Sequence, residues 1–145
     1  MNEPTPPLPQ PSVAFLMLGA VHELEARLEA ALGGVGLSLG KFNVLSKLAA
    51  AGEPLPLGTV AERCSCVKSN ITQLVDRLEA DALVERVSDP SDRRSVRAAL
   101  TPAGRARHDE AVLLVAETER QVFGGLTEAD RAMLAQLVGR LGPQG

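Results

Sequence analysis

Between residues 67 and 80 the apolar side chains Ile71, Leu74, Val75 and Leu78 recur at i, i+3, i+4 and i+7, the spacing that lays one stripe along a helix. The pattern predicts a helix over 67–80 with its polar remainder facing outward. A shorter helical run over 57–63 precedes it, joined by the tight connection Cys64-Ser65-Cys66. Past residue 83 the period changes to two. Val96, Ala98 and Leu100 alternate with Arg97 and Ala99, and Asp89-Pro90-Ser91-Asp92 supplies turn chemistry. Residues 83–101 therefore read as two strands around a charged tip. Helix, short turn, longer helix and hairpin together make a winged helix-turn-helix, whose second helix has the shape that enters a major groove.

Longer helices flank this unit. Ser12 can cap a first helix to about residue 32, ended by Gly33, Gly34 and Gly36. Its first half (Val13, Phe15, Leu16, Met17, Leu18, Ala20, Val21) is apolar nearly all round, so it needs burial on every side. In a chain of 145 residues the extra cover is expected from a second subunit. Ser38 caps a second helix over 39–51, with Phe42, Leu45, Leu48 and Ala49 inward and Gly52 as its stop. Glu53-Pro54-Leu55-Pro56 reads as a turn, or a short strand pairing with the wing. Thr101-Pro102 gives a cap and a proline at the first helical position, opening a helix to about 123 that Gly124-Gly125 breaks. Thr127 and Asp130 resemble a capping box for a last helix to about 141. The fold class is mainly α with a small β-hairpin wing and about six helices. Residues 1–11, with five prolines, are a disordered lead-in to one domain over 12–145.

Composition narrows the class. Trp and Tyr are absent and Phe occurs three times, so the core is built from Leu, Val and Ala. No apolar run approaches the ~18 residues of a membrane span. The apolar stretch 13–21 follows prolines rather than Lys or Arg, which argues against a signal peptide. Two cysteines make no disulfide framework and fit a reducing cytoplasm. The net charge of −3 seems unsuited to a polyanion, but it is unevenly spread. Residues 1–62 and 108–145 carry −3 each, whereas 63–107, with Lys68 and eight Arg, carry +3. Positive potential is thus local to the helix-turn-helix.

On the helix over 67–80, Asn70, Gln73 and Arg77 share one edge. Asn and Gln can bond adenine, and Arg can bond guanine. Lys68, Ser69 and Thr72 are expected to position the helix on phosphate. An ordinary surface helix is also polar outside, but such faces are commonly built of Glu-Lys pairs, and this one is rich in amides and hydroxyls. Arg93 and Arg94 at the hairpin tip suit a narrow minor groove, and Asp92 is expected to support the wing by holding one guanidinium.

The run from Val67 through Lys68-Ser69-Asn70-Ile71-Thr72-Gln73 to Glu79, then Leu83-Val84-Glu85-Arg86, Asp92-Arg93-Arg94 and Leu100-Thr101-Pro102-Ala103-Gly104-Arg105, resembles the MarR family of bacterial transcription regulators. The likeness is continuous over about 37–107. It implies a homodimer joined by the N- and C-terminal helices (12–36 and 102–145), with 37–101 as the DNA-binding lobe. It implies binding to a pseudo-palindromic operator, usually repression, and release by a small aromatic or anionic effector or an oxidant. Two departures stand out. Ala82 lies where the family often has Gly, and Val67 lies where it often has a capping Ser, so a cap is expected from Ser65 or Cys66, or is lacking.

Cys64 and Cys66 read either as small buried hydrophobes or as a thiol sensor beside Arg63 and Lys68. Together with His22 and His108 they lack any strong metal-ligand spacing, so neither a metal nor a cofactor is expected. His22, Arg27 and Lys41 are candidate ligand-pocket groups, placed by helix order. The alternative function is a winged helix that binds protein rather than DNA. An enzyme is disfavoured, because no phosphate-binding glycine loop and no nucleophile-base set is present.

Overall fold

A computed structural model describes residues 2–64 and 70–142, except for the side chain of Arg93. Among these, the chain runs α1 (Val13–Gly33), α2 (Leu39–Ala51), β1 (Leu55–Pro56), α3 (Leu57–Arg63), α4 (Ile71–Ala80), β2 (Val84–Asp89), β3 (Asp92–Leu100), α5 (Pro102–Phe123) and α6 (Glu128–Leu141). The expected caps are in place. Ser12 accepts from the Phe15 N–H, Ser38 from Lys41 and Thr101 from Gly104. Thr127 and Asp130 form a reciprocal capping box, each bond 3.1 Å. Gly52 ends α2 at φ +68°, a left-handed value open to glycine without Cβ strain.

The sheet has the order β1-β3-β2, all antiparallel. Leu55 lies opposite Ala98, so the short strand read after α2 does pair with the wing. One core joins these elements. Leu32, Val44, Leu45, Val60, Val75 and Leu78 are fully buried, with Leu83, Val84 and Ala98 from the sheet and Ala111 from α5. Burying each Val or Leu contributes roughly 1.5–3 kcal/mol, so the core fixes α2, α3 and α4 together. Helix α5 packs along both α1 and α2.

The exit from α4 is tightly specified. The Leu83 N–H donates to the Leu78 carbonyl and the Ala82 N–H to that of Glu79, both at 2.9 Å, the double closure of a Schellman turn. Such a turn needs a left-handed residue, and Ala82 takes it at φ +59°. Thr101 then fastens the turn to α5. Its hydroxyl donates to the Ala82 carbonyl at 2.7 Å and accepts from the Gly104 N–H at 2.9 Å. Gly104 is buried where a Cβ would meet the Leu83 carbonyl oxygen and lie 2.8 Å from Leu100 Cδ1. The backbones approach that closely only because position 104 has no side chain.

The wing is braced through two aspartates. Asp92 accepts from the backbone N–H of Arg94 at 2.9 Å, and no guanidinium among the described side chains pairs with it. Asp89 holds Arg97, accepting from its Nε at 3.1 Å and Nη2 at 2.8 Å. It also accepts from the Ser91 N–H at 2.9 Å and the Ser91 hydroxyl at 2.7 Å. The Ser91 bonds, with the Arg97 guanidinium adding, lower the Asp89 carboxyl to about 2.

Outside the core, a large apolar surface is left open. Val13, Phe15, Leu16, Leu18 and Val21 of α1 are exposed, as is Leu113 of α5. Helix α6 buries none of its residues, leaving Met133, Leu134, Leu137, Val138 and Leu141 exposed. Large exposed apolar surface is uncommon on a chain that stays alone in water.

Replacing Ala82 by Gly relieves the left-handed strain and should raise the unfolding free energy by about 0.5–1 kcal/mol. Gly104→Ala should lower it by about 1–3 kcal/mol through overpacking. Urea midpoints at one fixed protein concentration check both. The Asp89 carboxyl should titrate near 2. Because that lies below the unfolded value of about 4, the brace stabilises fully above about pH 4 and is lost as pH falls toward 2. An NMR titration midpoint near 4 for Asp89 is the contrary result.

Candidate nucleic-acid interface

Helix α4 begins later than its apolar stripe predicts. Asn70 has extended backbone (ψ 101°), and its Oδ1 accepts from the Gln73 N–H at 3.2 Å, so it is the N-cap. One expectation changes with this. The cap comes from Asn70 rather than from Ser65 or Cys66. The physical reason is local: Asn satisfies orphan amides better than it fits a helix interior. Its oxygen keeps a second lone pair and its amide nitrogen two donors, so capping and contact with a base are compatible. Ser65, Cys66, Val67, Lys68 and Ser69 lie outside the described residues, so the phosphate roles read for Lys68 and Ser69 do too.

From Ile71 onward the helix follows its pattern. Val75 and Leu78 are buried and Ile71 and Leu74 half-buried, while Thr72, Gln73 and Arg77 are exposed. Gln73 and Arg77 are one turn apart on one edge, which is reading geometry. Arg94 projects exposed from the hairpin, while the side chain of Arg93 is not described.

The remaining charges near α4 are largely spent on one another. Arg86 of β2 forks onto two carboxylates of α4, with Nη2 on Asp76 and Nη1 on Glu79 at 2.9 Å. The bond to Asp76 and then that to Glu79 raise the Arg86 pKa against the opposing pull of desolvation. Lys41 of α2 reaches Asp81, the C-cap of α4, at 3.3 Å. Arg97 is held by Asp89, and Arg107 of α5 donates to the Val35 carbonyl at 2.7 Å. Arg63, Arg77, Arg94 and Arg105 are exposed without an ion-pair partner among the described residues. The local excess of +3 thus combines two populations of cation, one structural and one open to solvent.

Arg86, Arg97 and Asp89 are the functional-region residues that sequence reasoning missed. A signal existed for each. Asp76 and Glu79 stand at i and i+3 on one helix face, with Arg86 the first cation after the turn. Arg97 lies across the ladder from Val87, two residues from Asp89.

The candidate pocket groups do not converge. His22 and Arg27 are exposed on α1, where Arg27 pairs with Glu23 at 2.9 Å, while Lys41 turns toward α4. A different pair meets where α2 faces α5: the rings of Phe42 and His108 stack at 5.7 Å and 11°. Cys64 is 1% exposed and part of the core, which is its packing role; a thiol that meets an oxidant needs access.

Comparison with known proteins accords with this geometry. The model of the MarR family matches residues 37–96. The chain is 32% identical over 107 residues to the HTH-type transcriptional regulator YkoM of Bacillus subtilis, covering 74% of this chain and 69% of that one. Among solved structures, BpsR of Bordetella bronchiseptica superposes with a TM-score of 0.84 at 28% identity, covering 94% of this chain and 97% of that one. A MarR variant from E. coli complexed with operator DNA shares the fold at a TM-score of 0.81 and 24% identity, covering 90% and 94%. Among the described residues no helix is long and apolar enough to cross a membrane. With a hairpin wing against a helix-turn-helix and relatives of this kind, the chain belongs to the MarR family of winged-helix transcription regulators and is not an enzyme.

Proposed function

We propose that two copies of this chain join through α1, α5 and α6 and bind a pseudo-palindromic operator, repressing transcription until a small aromatic or anionic ligand releases them. The observation that carries this reading is the exposed edge of α4, where Gln73 and Arg77 stand beside a hairpin bearing Arg94. Gln73 and Arg77 read bases, Thr72 meets phosphate, and Arg94, with Arg93, enters the minor groove. Lys68 and Ser69 remain assigned to phosphate, and Asn70 acts by capping α4.

Dimerisation is supported by the apolar residues left open on α1 and α6, which nothing among the described residues covers. Symmetry then places the two α4 helices one DNA turn apart, roughly 34 Å. Ligand control is supported by BpsR, whose DNA binding is regulated by 6-hydroxynicotinic acid. Release by a ligand is favoured over release by oxidation at Cys64, whose sulfur is shut in the core.

Fluorescence anisotropy with a duplex from the protein's own promoter region tests the reading. The wild-type chain should bind as a dimer at low ionic strength. Arg94→Ala should weaken binding and reduce the slope of log K against log salt by up to about two, one phosphate-equivalent per wing. Gln73→Ala should leave that slope alone and relax base preference by roughly 1–3 kcal/mol at one position per half-site. A monomer that ignores every duplex offered at low salt overturns the proposal.

A further inference from the structure

We propose that Arg86 is a positioning residue for DNA reading, acting by offsetting the negative charge that Asp76 and Glu79 place on the helix that enters the groove. The inference rests on the DNA-reading role proposed above. Both carboxylates belong to α4, and their side chains are 58% and 42% exposed, so neither is hidden from an approaching polyanion by burial. Arg86, 26% exposed, reaches them from β2.

The fit is specific to a guanidinium. Its two terminal nitrogens go to different carboxylates, Nη2 to Asp76 and Nη1 to Glu79. The second oxygen of Glu79 accepts from the Arg86 backbone N–H at 3.0 Å. One residue thereby occupies both oxygens of Glu79 and brings one positive charge to a pair of carboxylates standing i, i+3 on α4, halving their net charge. A lysine has one point of charge and cannot span the two.

Partly exposed ion pairs of this kind add little to folding stability. Their value changes when a phosphate backbone arrives. A carboxylate on the reading helix then repels the DNA and opposes counter-ion release. With Arg86 in place, α4 carries the reach of Gln73 and Arg77 with that penalty reduced. In a symmetric dimer the effect enters twice.

The test is a cycle of charge-neutral variants in full-length protein, read by anisotropy on the duplex that binds the wild type. Arg86→Gln should weaken binding by on the order of tenfold or more, with helix content unchanged by circular dichroism. The triple variant Asp76→Asn/Glu79→Gln/Arg86→Gln lacks both carboxylates and the guanidinium, so it should bind within about threefold of the wild type or more tightly. That comparison stands even where Arg86→Gln alone folds poorly. A loss of about tenfold in the triple variant relative to wild type means that Arg86 touches DNA itself or anchors the helix by shape, and it overturns the inference. Failure of the wild type to bind any duplex instead removes the DNA reading on which the inference rests.

Discussion

The hydroxyl of Thr101 sits between two backbones that must not drift apart. By donating to Ala82 and accepting from Gly104, it closes the exit of α4 and the entry of α5 with one side chain. The close approach depends on the bare Cα of Gly104 and on the left-handed turn at Ala82. Remove either and the reading helix loses its fixed relation to the long helix that carries the outer apolar surface. The Leu-Thr-Pro-Ala-Gly-Arg run is therefore a joint: a cap, a rigid first helical residue and a point of contact in six positions.

Electrostatics around α4 follow a similar economy. The helix and its C-cap carry three carboxylates, at Asp76, Glu79 and Asp81, and each is met by a cation from a neighbouring element, Arg86 for two and Lys41 for the third. Arg77 on the same helix, and Arg94 on the wing, stay open to solvent. Counting basic residues along the chain cannot distinguish these roles. Only the partner of each side chain separates a cation that holds the fold from one free to meet phosphate.

Much of the fold was legible because apolar period and caps act over short distances. The inward stripe of α4, the capping box at Thr127 and Asp130, the left-handed stop at Gly52 and the pairing of Leu55 with the wing all follow from a few adjacent residues. What could not be read were interactions whose partners lie far apart in the chain or compete for one atom. Asn70 has the chemistry for adenine, but that its oxygen also caps α4 by accepting from the Gln73 amide is not visible in the apolar stripe. Asp92 stands beside the wing arginines in sequence, but the pairing of Asp89 with Arg97, next to an irregularity in the ladder at Ser88/Asp89, joins residues eight positions apart. Helix order likewise does not say that Lys41 turns to Asp81.

The contacts of α2 give the proposed ligand response a physical route. Lys41 grips the C-cap of α4, and the adjacent Phe42 stacks on His108 of α5. Arg107, one residue before His108, holds the carbonyl of Val35 in the turn that leads into α2. Helix α2 thus touches the reading helix at one residue and the outer helix at the next. A shift of α5 against α2 cannot be absorbed at Phe42 alone, since Val44, Leu45 and Leu48 lock α2 into a close-packed core. In the proposed dimer such a shift would be passed on as rotation of the whole lobe. For a symmetric pair, rotation of each lobe changes the spacing of the two α4 helices, and a duplex with a fixed turn of roughly 34 Å tolerates little of that. Control of binding therefore needs no rearrangement within α4, only two lobes whose separation is set by helices outside them.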